Sequence, residues 1–403
     1  MYGGPRVGDI MLPIDEREDV VRRCLIACLA GRWEPASLNR GRELASDARF
    51  DWDRWLDAAR EESLSPLLHS ILRDRDWVPA GVGQRLRQAY LQSGARNALL
   101  MAELESVIDR LAAVNVAVIV LKGAALAETV YGNVALRPMV DLDLLVRWGD
   151  VQAALGVLNQ AGYRFAALEA QVGVTLAYEN ELMLHKSGPL DVLLEMHWHL
   201  LDSPYYQRTI DLDWFWQTAR PASFGRSQAL VLGLEAQLLH LCAHLALHHG
   251  GEWLLWRHDV AEVAHVFHDR IDWDLVLAKA KLFDLVLSLQ KVLPAVSAEW
   301  GAPIPENVLH RLEALTPSPA EVRVFNRLTA ADRPVVQRFW TDLAGQASWR
   351  TRFAYALAQL FPSSAYMQAR YRLAHPWLTP LAYPYRWAIG LEEWLAERRR
   401  TTW

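Results

Sequence analysis

Cysteine is scarce, with Cys24, Cys28 and Cys242 the only three in 403 residues. They cannot all pair within one chain, and none has a second pair at zinc-site spacing. A disulfide framework and a zinc finger are excluded, and a reducing, cytoplasmic location is expected. A basic excess is also missing. The formal net charge is −5, which gives no electrostatic reason for broad binding to nucleic acid and disfavours it as a partner. Long apolar runs are missing too. The opening "MYGGPRVGDIMLPIDEREDVVRRCLIACLA" has acidic residues ahead of its apolar segment, and "HPWLTPLAYPYRW" is broken by prolines. The first is no secretory signal, the second reads as a packed tail, and no membrane span is expected.

What is present is core material. Hydrophobic residues make up 52% and charged residues 22%, so the chain can bury extensive apolar area and is not of the disordered type. The length suggests two or three structural units. From Asp15 to about Ala113, apolar residues recur at helical spacing with Pro and Gly between segments, a helical lead-in. "VAVIVL" is then suited to a buried strand. "AALAETVYG" is a helix stopped at Gly132-Asn133, "MVDLDLLV" a second strand, and "GDVQAALGVLNQAGY" an amphipathic helix. "RFAAL", "NELMLHK", the Ser187-Gly188-Pro189 turn and "LDVLLEMHWHL" follow, the last two runs as a hairpin. From about 227 onward the pattern is helical. The expectation is an α+β protein with a helical segment at 1–94, a small mixed-sheet core at 95–202 and a large helical region at 203–403.

"DLDLLV" carries the chemistry. Alternation along a strand points Asp141 and Asp143 to the same face, only several ångströms apart, and like charges so placed need a counter-charge. A divalent cation is the simplest, and hard oxygen ligands suit Mg²⁺ or Mn²⁺; the plain alternative is a strand end whose aspartates are exposed or salt-bridged. Upstream, the first strand feeds Lys122-Gly123 and a helix start, which offers backbone N–H groups and positive dipole to phosphate. Downstream, Glu195 supplies a third carboxylate on a strand, with Asp191 its local competitor. Three acids on neighbouring strands beside a glycine turn make a two-metal phosphoryl-transfer site.

At "LKGAAL…Y…R…DLDLLV" followed by "LEMHWHL" the sequence resembles the uncharacterised nucleotidyltransferase family, a bacterial branch of the DNA polymerase β-like nucleotidyltransferases. The resemblance implies a nucleotidyltransferase-type core. It also implies an acceptor hydroxyl attacking the α-phosphorus of an NTP, ATP by default, with release of pyrophosphate. Asp141, Asp143 and Glu195 match the metal-binding carboxylates, and Glu195 matches a metal ligand or general base. Gly123 matches the turn, and Lys122, Tyr131 and Arg137 match positions that would serve the nucleotide. Two features depart from the pattern. Ala124 stands where many superfamily members have Gly or Ser, and the interval from the turn to Asp141 is long. The implied acceptor is a small molecule, or a peptide or protein side chain.

A second constellation competes. "LLHLCAHLALHHGGEW" places His240, His244 and His248 at i, i+4 and i+8 of one helix, with His249 adjacent and His258-Asp259 beyond a Gly turn. Such spacing can ligate a metal in a phosphohydrolase, and it also suits a half-buried helix seam. No acid takes the Glu position of an HExxH zinc site. A third alternative is a binding or scaffold protein that keeps the fold without the chemistry.

Overall fold

Among the described residues the apolar periodicities resolve into seven strands in one sheet, with helices before and after it in sequence. The computed structural model describes residues 16–166, 180–248, 250–330 and 348–400, with Trp340 and Leu343. The end of "RFAAL", His249 and both chain termini lie outside the described residues.

Helices α1 (Glu16–Ala30), α2 (Ser37–Ala45), α3 (Trp52–Glu61), α4 (Ser65–Leu72) and the long α5 (Ala80–Ala112) form the lead-in. Asp51 caps α3 by accepting from the backbone N–H groups of Asp53 and Arg54, and Pro66 sits in the first turn of α4 where its missing N–H costs nothing. Strand β1 (Val118–Val120), helix α6 (Lys122–Thr129), strand β2 (Asp141–Val146) and helix α7 (Val151–Gln160) follow in the expected order. Then come β3 (Arg164–Phe165), β4 (Glu181–Lys186) and β5 (Val192–His197), with the Ser187-Gly188-Pro189 turn between the last two as anticipated.

The sheet runs β3-β4-β5-β2-β1-β7-β6, and this order extends beyond the expected boundary at residue 202. After the short helices α8 (Pro204–Thr209) and α9 (Leu212–Thr218), strands β6 (Arg220–Phe224) and β7 (Ser227–Val231) form a hairpin, and β7 lies parallel to β1. The helical reading from 227 onward is therefore corrected. Helix begins only at Leu234, because Phe224 pairs with Ser227 across a two-residue turn, Gly225-Arg226. Gly225 has φ +62°, so it takes the left-handed backbone that a tight hairpin turn requires of its first residue. The signal was present as a Gly-X pair between two alternating runs.

The C-terminal half comprises α10 (Leu234–His248), α11 (Leu254–Val266), α12 (Trp273–Leu282), α13 (Val286–Trp300), α14 (Glu306–Ala314) and α15 (Pro319–Thr329). Then follow α16 (Trp349–Leu360), α17 (Ser364–Tyr371) and α18 (Thr379–Arg400). Helix α10 is buried almost all round, as its apolar composition demands. The lead-in and the C-terminal helices share one core. Cys24, Leu29, Trp55 and Leu68 of the lead-in join Leu239, Val260, Leu289 and Val296 in a single buried cluster. A second cluster lies between the sheet, α5 and α7. The three cysteines are free and buried, and among the described residues no helix is long and apolar enough to cross a membrane.

Candidate metal and nucleotide site

Strand register builds the site. Parallel pairing of β2 with β5 sets Asp143 opposite Glu195 and Leu145 opposite His197, and antiparallel pairing of β4 with β5 sets Glu181 opposite His197. Because side chains alternate, Asp141, Asp143, Glu195, His197 and Glu181 share one face of the sheet. Carboxylate oxygens of Asp143 and Glu195 and a ring nitrogen of His197 lie within 4.8 Å of one another. Among the described residues, this is the one group of three such side chains whose ligand atoms converge.

Lys122 enters the same cluster from the end of β1. Its Nζ is 2.7 Å from Asp143 Oδ1 and 3.4 Å from Glu195 Oε2. Its backbone has φ +45°, a left-handed conformation strained for a side-chain-bearing residue, while the preceding Leu121 N–H donates to the Asp143 carbonyl at 2.9 Å. The left-handed position at this turn thus belongs to Lys122. At Gly123 a Cβ would meet the Met139 side chain at 3.0 Å, so close packing of the next loop calls for glycine there.

The charges perturb one another. Burial pushes the Asp141 carboxyl up, and the neighbouring charges of Asp143 and Glu195 push it further, to about 7, against the pull of Lys122 and Arg137. Burial also opposes ionisation of Asp143, but Lys122 and the hydrogen bond with His197 hold its carboxyl well below the usual range. His197 Nε2 is 3.0 Å from Asp143 Oδ1, and its Nδ1 is 2.8 Å from Glu181 Oε2. Burial and Lys122 disfavour the imidazolium, yet Asp143, Glu181 and Glu195 together raise its pKa well above the ordinary value. For Lys122, burial works downward and the carboxylates prevail, raising it.

This donor set fits a hard divalent cation. Oxygen ligands dominate, Asp141 stands on the same face beside Asp143, and the His197 ring, held between Asp143 and Glu181, lies at the edge. Asp191, the competitor of Glu195, is exposed and lies 3.5 Å from His185 Nε2. His197 and Glu181 escaped sequence reasoning. The signal for His197 was its odd-numbered parity with Glu195; Glu181 required the hairpin register.

Tyr131 and Arg137 stand differently from Lys122. Arg137 Nε donates to both oxygens of Asp259 at 3.0 Å and Nη2 donates to Oδ2 at 2.8 Å, while Nη1 donates to the Pro138 carbonyl at 2.7 Å. Tyr131 Oη donates to Asp259 Oδ1 at 2.8 Å and lies 2.9 Å from His258 Nδ1. All four side chains are buried. The loop 131–140 is thereby clamped to α11, and from the other side Asn97 of α5 donates to the Val134 and Arg137 carbonyls. The guanidinium still acts on Asp141 electrostatically and would lie 3.7 Å from a Cβ at Gly123.

The clamp extends to the lead-in. Arg32, just after α1, donates to both oxygens of Glu262 on α11, and Trp33 stacks on His258 and His265 with ring centroids 4.8 and 4.2 Å away. His258 and Asp259 are therefore committed to holding α11 against the loop and the lead-in. On α10, His240 is buried beside the site: its pKa is lowered to about 3, first by burial and then by Lys122 and His197. Its ring centroid is 6.0 Å from that of His244, which stacks at 4.7 Å on His248.

No curated protein matches the chain. Among solved structures, it is similar to an antigenic nucleotidyltransferase-like protein from Paracoccidioides brasiliensis. That similarity is at 15% identity and a TM-score of 0.36, covering 52% of this chain and 96% of that one. Residues 48–298, well over half of the chain, match the family model described as "Uncharacterised nucleotidyltransferase", and the protein belongs to that family.

Proposed function

We propose that the protein transfers a nucleoside monophosphate from an NTP, ATP by default, to a hydroxyl of a small-molecule or peptide acceptor, using Mg²⁺ or Mn²⁺. The observation that carries the reading is the convergence of Asp143, Glu195 and His197 on the face that also presents Asp141. Asp141, Asp143 and Glu195 would hold the ion, with His197 at its edge. Bound there, a divalent ion supplies charge neutralisation at the phosphates and polarises the reacting oxygens.

The chain's own groups do the rest. The Lys122 ammonium, at the start of α6, is placed to exchange its carboxylate partners for phosphate oxygens, assisted by the positive end of that helix. The acceptor oxygen forms a bond to the α-phosphorus as the α–β anhydride breaks, and Glu195 takes the acceptor proton. Glu181 and Asp143 fix His197, which holds Asp143 in place. The clamp of Arg137 on Asp259 positions the loop that leads into Asp141, and Arg137 adds long-range positive charge.

Calorimetric titration of each NTP with Mg²⁺ into the wild type and an Asp141→Ala/Asp143→Ala double variant tests the reading. Saturable binding lost in the variant supports it; absence of binding to the wild type overturns it. One observation favours a second reading, a scaffold that keeps the fold without transfer: Lys122 already neutralises two of the carboxylates. That reading requires nucleotide binding to be absent or indifferent to metal.

A further inference from the structure

The C-terminal stretch up to Leu391, ahead of Glu392 and Glu393 in α18, differs in charge and surface from the rest of the chain. From Ser348 to Leu391 there are five arginines and neither Asp nor Glu, within a protein whose net charge is −5. Helix α16 carries an apolar stripe outward: Trp349, Phe353, Leu357 and Leu360 are 73%, 65%, 46% and 47% exposed. Spacing of three and four residues puts all four on one face. The stripe continues past the helix end. Phe361 packs edge-on to Trp387 of α18 at 5.2 Å, and the Trp387 indole N–H donates to the Leu360 carbonyl at 2.9 Å. Beyond it, Trp377, Leu381 and Tyr385 are also exposed. An open cavity of about 500 Å³ joins the two kinds of surface, lined by Arg370, Tyr371, Arg372, Leu378, Leu381 and Tyr385.

We infer that this face docks on an anionic phospholipid surface, with the aromatic and leucine side chains in the headgroup region and the Arg370–Arg372 cavity receiving a lipid phosphate. Aromatic rings favour the boundary between water and hydrocarbon, and a cavity lined by two arginines and no acid is drawn to negatively charged headgroups. Arginine can bury its stem among apolar groups while its guanidinium binds phosphate. A second copy of this chain is a poorer occupant, because a two-fold contact would set the cavity's two arginines, with no acid in its lining, against their own copies. A nucleic acid would use the arginines but leave the leucines unpaired with any partner. Among the described residues no helix is long and apolar enough to cross a bilayer, and the attachment proposed is peripheral.

Flotation of the full-length protein with phosphatidylcholine vesicles, with and without phosphatidylglycerol, tests this. The wild type should float with the anionic vesicles only, and added salt should weaken the association. Replacing Arg370 and Arg372 by Gln should lower the partition coefficient about tenfold or more. The exposed-face variant Trp349→Ser/Phe353→Ser should lower it comparably. Failure of the wild type to float with anionic vesicles overturns the proposal without recourse to any variant. Undiminished binding by both variants overturns it equally. A concentration-dependent dimer broken by Trp349→Ser assigns the face to a second copy instead, and an RNA shift lost with the arginines, without vesicle binding, assigns it to nucleic acid.

Discussion

Lys122 Nζ lies 2.7 Å from Asp143 Oδ1, both side chains buried, so the carboxylate cluster carries an internal cation. A divalent ion and this ammonium compete for the same oxygens. Lys122→Met removes the competitor and leaves buried carboxylates uncompensated, which should cost roughly 3–5 kcal/mol in metal-free protein. Mn²⁺ should raise the melting temperature of the variant more than that of the wild type, and should bind it more tightly by calorimetry. An equal Mn²⁺ response in both proteins would remove the competition.

Asp141 gives the pH dependence. Its carboxyl is raised to about 7 in the fold, so the protonated form is favoured in the native state. The associated stability is fully present below the unfolded value near 3.8 and is lost as pH rises through about 7. Asp141→Asn should therefore stabilise the metal-free protein at pH 8, by on the order of 4 kcal/mol, and have little effect at pH 4. Metal binding works in the opposite sense, since ligation needs the ionised carboxylate, and Mn²⁺ affinity of the wild type should climb between pH 6 and 8. Urea melts and titrations at those pH values check both; a pH-independent effect of the substitution would refute the assignment.

Arg137 and Asp259 are a buried, two-pronged pair. Truncating one partner leaves the other charge without compensation, so Arg137→Ala should lose about 3–5 kcal/mol of stability. Arg137→Lys should recover little of this, because an ammonium cannot reproduce the planar fork. Recovery of wild-type stability by lysine in a chemical-denaturation series would show that charge alone suffices.

Gly225 tests the hairpin that extends the sheet. Besides its left-handed φ, a Cβ there would run into the Glu105 carboxylate. Gly225→Ala should therefore cost about 1–3 kcal/mol, the range for a residue forced into a sparsely populated backbone region. Tm by differential scanning calorimetry is the readout, and an unchanged Tm would contradict the turn geometry.

The hairpin also shows where local reading ends. "QALVLGLEAQLL" has strong helix formers in continuity, and only pairing with β6 and β1 separates Ser227–Val231 as a strand. Segment 141–146 was legible because a strand's alternation is a property of the strand itself. Carboxylates at 141 and 143 must share a face wherever the strand lies, and with the Lys122-Gly123 turn and Glu195 they point to a cation.

The partners of those carboxylates had no such local mark. Glu195 meets Asp143 because β5 pairs parallel to β2 in one register, and a shift by one residue would have turned Glu195, His197 and their neighbours to the opposite face. Arg137 and Tyr131 carry a family-like spacing, yet their hydrogen bonds go to Asp259, more than 120 residues later. Sequence by itself determined the elements through β5, the acidic strand and the family kinship. Tertiary packing decided which charges meet, because like and unlike charges choose one another by distance in the folded chain, and distance along the chain carries no record of it.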